Sequence, residues 1–443
     1  MTRHSIRGCA CLAGVILVAG PAPSRAQSSS TRPTGHVSVH VNTAGRDFND
    51  GNKQRNTELS TGVTLESPRT DENGVEYRLD LRHTRYTSGV RPDRLSIYDG
   101  FAGGRFGGDT QVRVRAGYMW LQDLGTMGAL AGGLVEVGQR KDISEGRFRA
   151  GFFSGLEPRL YDTGYAPDVR KYGGYAAYES GYQRRHVVGY TTVTQAGMTE
   201  RSVLSVTNFI PGGQKFFAYQ AAEFEVKGPA QGTAQSGLSY FLTNVRVSAS
   251  SRVDLNGTYN RGRSLDARQL TNDLLNGRAL TSAAVEGLHY ESASGRITVQ
   301  VGRGVHVYTG YARDRTNRDD VATGRFTLGG HAGNVFGTGF DISGSDSRVQ
   351  RASGPYNSRY FSVGRNLGRA AYVSMDYSTS LSVVRFLRSD GVIIETRPST
   401  RRYSGSGSVT LNRYLSLLTT VDYTIDNDLN ELRILSGLSY RIR

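Results

Sequence analysis

The chain has 443 residues, a formal net charge of +15, 37% hydrophobic residues and a mean hydropathy of -0.42. With 56 glycines and 25 tyrosines, this composition is unlike that of an ordinary packed soluble core. Both cysteines, Cys9 and Cys11, lie near the N-terminus. Once that segment is removed, the chain has no cysteine. This excludes disulfides, cysteine-ligated metals, attached c-type haem and cysteine catalysis.

The N-terminal segment has the pattern of an export signal. Arg3 and Arg7 come before or at the start of a weakly apolar run from Gly8 to Gly20, and Ser24-Arg25-Ala26 places small residues where signal peptidase reads them. The run is too short for a membrane-spanning helix, which needs about 20 residues. We predict a signal peptide over residues 1–26, a polar lead-in over 27–34, and a single domain over 35–443.

Alternation of apolar and polar residues dominates the rest of the chain. It is clearest in Leu415 to Ile425 and Leu432 to Ile442, which flank a turn at Asp426. A period of two indicates β-strands with one apolar face. Such segments recur without a domain break, and they predict about 22 strands, within a range of about 18 to 24. Val335 to Ile342 is one of them, whereas Gly103-Gly104 is interpreted as a strand turn.

Four segments share one plan, in which a short basic turn opens a strand that ends in tyrosine. They run from Arg252 to Tyr259, Arg303 to Tyr311, Arg369 to Tyr377 and Arg413 to Tyr423. Tilted strands of this length rise by roughly 16 to 23 Å, close to the apolar thickness of an outer membrane. Short turns are therefore expected on the periplasmic side, and the long loops outside.

Aromatic residues near the ends of these strands are expected to form a girdle at the lipid interface. The candidate girdle residues are Tyr118, Trp120, Tyr259, Tyr311, Tyr377, Tyr423 and Tyr440.

One segment departs from the strand pattern. Ser264 to Asn276 reads as a short helix, with Ser264 as N-cap, Leu270 and Leu274 one turn apart, and Gly277 as a stop. The helix is either a decoration of an outer loop, which we favour, or a functional element, namely a plug or constriction folded into the pore or a partner-docking element. Asp390-Gly391 is predicted to turn another long loop into a protruding hairpin.

Taken together, the export signal, the alternating strands, the short turns opposite long loops, and the tyrosines resemble a Gram-negative outer-membrane β-barrel protein. The resemblance implies an all-β fold, a transmembrane antiparallel barrel of about 22 strands with one short loop helix. It also implies location in the cell outer membrane, with outer-membrane lipid and the barrel-assembly machinery as partners. Such proteins usually end in an aromatic residue that this machinery recognises, whereas this chain ends in Arg443.

Charged residues on the polar strand faces are expected to point into the lumen. The candidate pore-lining residues are Arg78, Asp80, Arg82, Arg113, Arg115, Arg147, Arg149, Arg246, Arg433 and Arg441. A basic wall would attract anions. Mutually paired arginines and carboxylates that only solvate the interior would give the same sequence pattern.

Three functions follow from this organisation. The first is a channel for polar solutes, which would favour anions if the basic residues attract the solute. The second is an export or conduit barrel that works with a periplasmic partner, and the third is a surface enzyme or a structural or adhesion barrel. Nucleic-acid binding does not fit the compartment, and no cofactor or metal is predicted. The oligomeric state is left open.

Catalytic or metal sites have weak support. His36 and His40 share a strand face but lie roughly 13 Å apart along it. His289 with Glu291 and Ser292 could form a hydrolase site if they met, as could Asp319 and Asp320 beside His331. Nothing in their spacing requires it, and we predict no enzyme activity.

Overall fold

The structure is a computed structural model that describes residues 33–442, except for 69–72, 88–90, 122–123, 125–127, 142, 160–162, 182–183, 214, 229–236, 265 and 388–392. The predicted signal peptide with Cys9 and Cys11, the turn at Asp390-Gly391, and Arg443 lie outside the described residues.

The chain folds into a closed antiparallel sheet of 22 strands. The first strand pairs with the last, from Gly35 opposite Ile442 to Phe48 opposite Leu429, and this pairing closes the barrel. A second, two-stranded sheet formed by β20 and β21 projects from one loop. The strands are β1 (Thr34–Phe48), β2 (Lys53–Glu66), β3 (Gly74–Tyr86), β4 (Arg94–Gly107), β5 (Thr110–Trp120), β6 (Ala129–Gln139), β7 (Arg147–Pro158), β8 (Tyr165–Ser180), β9 (Arg184–Gln195), β10 (Met198–Gly212), β11 (Phe216–Lys227), β12 (Gly237–Ser250), β13 (Val253–Ser264), β14 (Leu288–Gly302), β15 (Val305–Thr316), β16 (Thr323–Ala332), β17 (Phe340–Gln350), β18 (Tyr356–Leu367), β19 (Ala371–Ser382), β20 (Val384–Leu387), β21 (Ile393–Thr396), β22 (Ser399–Thr410), β23 (Leu415–Ile425) and β24 (Leu429–Ile442).

The two faces of the sheet differ as the alternation predicts. One face carries large exposed apolar side chains, among them Phe152 at 74% and Met375 at 76% exposure. On the other face, side chains two strands apart meet, as when Arg113 of β5 reaches Glu76 of β3, so this face is the concave interior. A polar interior inside an apolar outer band is the architecture of a transmembrane barrel. The predicted fold class and outer-membrane location are confirmed.

The connections at the two ends of the barrel differ in length. The turns that contain Arg252, Arg303, Arg369 and Arg413 are all short, whereas residues 265–287 and 383–398 form the two longest connections at the opposite end. We therefore keep the predicted orientation, with the short turns in the periplasm and the long connections outside.

Two local predictions were wrong. Gly103 and Gly104 lie inside β4, a strand that we did not predict. Its glycines interrupt the alternation of apolar and polar residues, and so does a β-bulge that shifts its register with β3 between Asp80 and Leu81. Val335 to Gly337 forms a 3-10 turn, with Asn334 and Phe336 at positive φ, and β17 begins only at Phe340.

Two helices lie in the connection between β13 and β14: α1 (Ala267–Leu275) and α2 (Ser282–Glu286). Ser264 is not the N-cap as predicted, because it is still the last residue of β13 and pairs with Leu288. Asp266 caps α1 instead, and its side chain accepts a hydrogen bond from the Gln269 amide at 2.9 Å. No helix in the described part of the chain is long and apolar enough to cross a membrane.

Deleting Leu432 to Arg443 should abolish the folded barrel, because β1 would lose most of the partner that satisfies its backbone hydrogen bonds in lipid. The measurement is heat-modifiable migration of the refolded protein on a gel. The matched control is the equally long deletion of Arg385 to Thr396, which removes the β20–β21 hairpin outside the barrel sheet and should leave migration unchanged. A heat-modifiable barrel without Leu432 to Arg443 would contradict the closure.

Candidate functional site: a charged recess in the lumen wall

Strands β3 to β9 form a charged section of the inner wall. Arg113 and Arg115 alternate along β5 with Val112 and Val114, and Val114 is 39% exposed on the outer surface. The same alternation on β7 turns Arg147 and Arg149 inward. The arginines face the lumen because the lipid side of each strand requires the apolar residues.

Glu76 is the centre of the first group of ion pairs. It accepts hydrogen bonds from Arg105 at 3.1 Å, from Arg113 at 2.7 Å and from Arg115 at 2.6 Å. Arg115 reaches Glu76 from two strands away because Gly103, which lies between them in register, has no side chain. A Cβ at Gly103 would lie 2.0 Å from the Val114 carbonyl oxygen, so glycine is required at this close approach.

Glu136 and Glu179 continue the network. Arg149 donates to Glu136 at 2.7 Å and to Glu179 at 3.0 Å, and Arg147 donates to Glu179 at 3.1 Å. The Tyr175 hydroxyl also donates to Glu136. Tyr175 passes over Gly151, where an added Cβ would lie 2.6 Å from its ring. These charge-assisted bonds compensate the desolvation of the buried carboxylates.

These side chains line a cavity of about 500 Å³, which we call the charged recess. Seven arginines and five carboxylates line it, so positive charge is in excess. The buried Oδ1 atom of Asp99 has no hydrogen-bond partner among the described residues, although Arg78 lies 3.4 Å from the other oxygen. This oxygen atom can therefore accept a hydrogen bond from water or from a solute in the recess. Its charged lining residues are Glu66, Glu76, Arg78, Asp99, Arg105, Arg113, Arg115, Glu136, Arg147, Arg149, Glu179 and Arg185.

Two described residues of the connection between β5 and β6, Leu121 and Leu124, lie inside the barrel: Leu121 lines the recess, and Leu124 contacts the inner wall. Leu121 and Leu124 are 4% and 0% exposed, and they belong to a buried apolar cluster with Phe153, Tyr175 and other side chains of the inner wall. Leu124 packs over Gly189 of β9, where an added Cβ would lie 2.2 Å from the leucine side chain. A connection anchored against the inner wall narrows the lumen on this side.

Helix α1 also lies against the wall rather than projecting from its loop. Arg268 donates to Glu200 at 2.6 Å and to Glu157 at 3.1 Å, and Gln195 donates to Asn272 at 2.7 Å. Partial burial alone would lower the pKa of the Arg268 guanidinium, but its bonds to these carboxylates outweigh burial and raise that pKa. Leu270 is 2% exposed. Helix α1 therefore lies in an outer connection, as predicted, and is fixed there to the outer end of β7–β10.

The opposite section of the inner wall is lined mainly by small hydroxyl side chains. Ser374 and Ser406 face each other across β19 and β22 with their hydroxyl oxygens 2.7 Å apart. Tyr360 donates to Asp376 at 2.8 Å on the same section. The lumen is therefore asymmetric. The charged wall, against which Leu121 and Leu124 pack, faces a wall lined by hydroxyl groups.

All ten candidate pore-lining residues lie on inner strand faces. Of the three candidates on β3, Arg78 lines the recess, Asp80 is opposite Asp99 in register, and the Arg82 guanidinium lies 5.2 Å from the Tyr98 ring centroid. Arg113, Arg115, Arg147 and Arg149 also line the recess.

The other three candidates are remote from the recess. Arg246 pairs with Asp254 at 3.1 Å, and Arg433 pairs with Glu431 at 2.7 Å. Arg441 is opposite His36 near the periplasmic end.

Sequence reasoning missed the carboxylates that organise the recess. Glu76, Glu136 and Glu179 occupy the same alternating positions as the predicted arginines, two residues from an inward neighbour on β3, β6 and β8. The alternation that selected Arg78 also selects Glu76, so that signal was present. No local signal identifies Leu124 or Tyr175 as part of the site.

Only four of the seven candidate girdle residues lie near a strand end, because Tyr259, Tyr311 and Tyr377 are each the seventh residue of a twelve-residue strand. Tyr377 and Tyr403 have ring centroids 5.1 Å apart, and Tyr403 is opposite Tyr423 in register. Tyr259 donates to Glu291 at 3.0 Å. Tyr118 and Trp120 lie at the outer end of β5, Tyr423 near the outer end of β23, and Tyr440 near the periplasmic end of β24.

The candidate hydrolase residues do not come together. Ser292 donates to Asp314 on the inner face, while its neighbour Glu291 accepts from Tyr259 on the outer face. His331 lies near the periplasmic end of β16, whereas Asp319 and Asp320 lie in the outer connection that precedes this strand. Within the described ranges, no group of three or more His, Cys, Asp or Glu residues could hold a metal ion.

No protein-family model matches the chain, and no curated protein matches its sequence. Several solved structures are similar. OccAB4 of Acinetobacter baumannii is 9% identical over 94% of this chain and 99% of its own, with a TM-score of 0.45. OccK10 (OpdN) of Pseudomonas aeruginosa is 11% identical over 93% and 99%, with a TM-score of 0.42. The PapC P pilus usher translocation pore is 12% identical over 92% and 100%, with a TM-score of 0.44. At these identities, no residue of this chain takes a role from them.

Replacing Leu124 by alanine should loosen the connection between β5 and β6, because this fully buried leucine holds it against Gly189. Replacement of a buried leucine by alanine costs about 2 to 5 kcal/mol. We expect a larger single-channel conductance in planar bilayers. Leu411→Ala, at an exposed position in a periplasmic turn, is the control. Unchanged conductance in the folded Leu124→Ala protein would show that this connection does not limit the pore.

Proposed function

We propose that this protein is an outer-membrane channel for small polar solutes that favours anions. The observation that carries the proposal is the charged recess, where seven arginines and five carboxylates line one side of the lumen. The recess lies next to the connection between β5 and β6, on the side where the lumen is narrowed. A solute that passes there comes close to the wall, so the charge excess acts at short range.

The ion pairs do not cancel this effect. Glu76 pairs with Arg105, Arg113 and Arg115, and Arg113 is also paired with Glu136 at 3.5 Å. Positive charge therefore remains in excess around Glu76. Two unit charges 4 Å apart in water interact by about 1 kcal/mol, which changes the local concentration of an ion about fivefold. Screening over about 8 Å at physiological ionic strength confines the preference to the narrow part of the lumen.

The hydroxyl-lined opposite wall supports a diffusion route for hydrated solutes. Serine side chains offer both hydrogen-bond donors and acceptors without a fixed charge. They can therefore replace water around solutes of varied structure, while the basic side sets the preferred charge. This division of the lumen favours selection by charge over recognition of one molecule.

Removing the surplus arginines should weaken anion preference. In Arg105→Gln/Arg115→Gln, Glu76 keeps Arg113 as partner, and the network loses two positive charges. The zero-current potential across a bilayer with a KCl gradient should move toward the cation-selective side. Glu76→Gln should move it the opposite way, and Arg401→Gln on the outer surface should not move it.

The proposal fails if the wild-type pore is cation-selective, or if Glu76→Gln and the double arginine variant shift the potential in the same direction. A folded barrel that never conducts alone would favour the export barrel that opens with a periplasmic partner.

A further inference from the structure

Two of the arginines on the outer surface of the barrel lie beside aromatic side chains that also face outward. Arg313 of β15 and Arg348 of β17 share a face with Tyr311 and Phe326, which are 57% and 47% exposed. Below them on β16, Leu328 is 50% exposed. An arginine on a lipid face costs about 2 to 4 kcal/mol at the middle of the bilayer and about 0 to 1 near its surface. These residues therefore lie at the headgroup level of the outer leaflet.

The four side chains surround a depression of about 440 Å³ on that surface. Its centre is Gly324, which is opposite Arg313 on one side and Gln350 on the other. A side chain at Gly324 would occupy the space, since its Cβ would lie 3.2 Å from the Tyr311 hydroxyl. The depression thus combines an aromatic floor on the membrane side with two cations on the aqueous side.

Both guanidinium groups are available to a ligand. Arg313 has no carboxylate within 4 Å in the described part of the chain. Arg348 is 70% exposed and uses only its Nε atom, which donates to Asp346 at 3.3 Å. Its two terminal amino groups make no hydrogen bond to any described residue. Two such forks match the oxygens of phosphate, which arginine binds in bidentate fashion.

We infer that this depression, the outer arginine site, binds a phosphorylated glycolipid of the outer leaflet. The phosphate would lie between Arg313 and Arg348, the sugar would stack on Tyr311, and an acyl chain would begin at Phe326. A second copy of this chain fits less well, because a twofold contact through the same patch would bring arginine against arginine. The site is on the outside of the barrel and is independent of the proposed channel.

The test is native mass spectrometry of the refolded full chain in neutral detergent, with purified diphosphorylated lipid A as the probe. We expect a lipid-bound species in the wild-type protein and about tenfold or weaker binding in Arg313→Gln/Arg348→Gln, since charge-assisted hydrogen bonds contribute about 1.5 to 3 kcal/mol each. The control is Arg325→Gln, which removes an arginine from the inner face of β16 at the same height, where it lies 4.0 Å from Asp314.

Three results would overturn the inference: equal binding by the double variant and the wild type, equal binding of dephosphorylated lipid A by the wild type, or displacement of the lipid by inorganic phosphate at the same concentration. A stable dimer that excludes the lipid would also overturn it. Heat-modifiable migration checks that each variant is folded. If the double variant does not fold, the comparison of phosphorylated and dephosphorylated lipid on the wild type still decides the question.

Discussion

Closure of the sheet between β1 and β24 is the constraint on which the rest of the structure depends. In lipid, an unpaired backbone amide or carbonyl finds no water, so an open sheet edge is not tolerated. The fourteen-pair register from Gly35–Ile442 to Phe48–Leu429 removes both edges at once. Closure also separates two environments, and every strand must then divide its residues between them. The polar composition of the chain follows from this division rather than from a lack of stable structure.

Inside the barrel, glycines at close approaches between strands are as important as the charged side chains. Gly103 and Gly151 let Arg115 and Tyr175 cross a neighbouring strand and reach Glu76 and Glu136. A larger residue at either position would separate charges that are buried together. Since breaking a buried ion pair costs about 3 to 5 kcal/mol, these glycines support the network as directly as the charged residues do. The same wall accepts Leu124 over Gly189, so it also fixes the connection between β5 and β6.

The lumen and the outer surface use arginine in different ways. In the charged recess, arginines are close to carboxylates, and only the excess charge is available to a passing ion. At the outer arginine site, Arg313 has no such partner among the described residues, and Arg348 has one through a single atom. The first arrangement suits transient attraction during diffusion, and the second suits a ligand that stays. Neither depends on the other, since the sheet separates them.

The sequence by itself predicted a barrel of about 22 strands, the side of most strands that faces lipid, and the inward direction of arginines such as Arg113 and Arg149. These are local properties, because a strand alternates its side chains with a period of two whatever lies beside it. It failed at β4 and at Val335, where a bulge, glycines and left-handed residues interrupt that period. Only the tertiary structure decided that Glu76 meets three arginines, that Leu124 lies over Gly189, that α1 is fixed by Glu157 and Glu200, and that Tyr311 and Arg348 share one depression. Those contacts depend on the register between strands and on the curvature of the closed sheet, and a single strand carries neither.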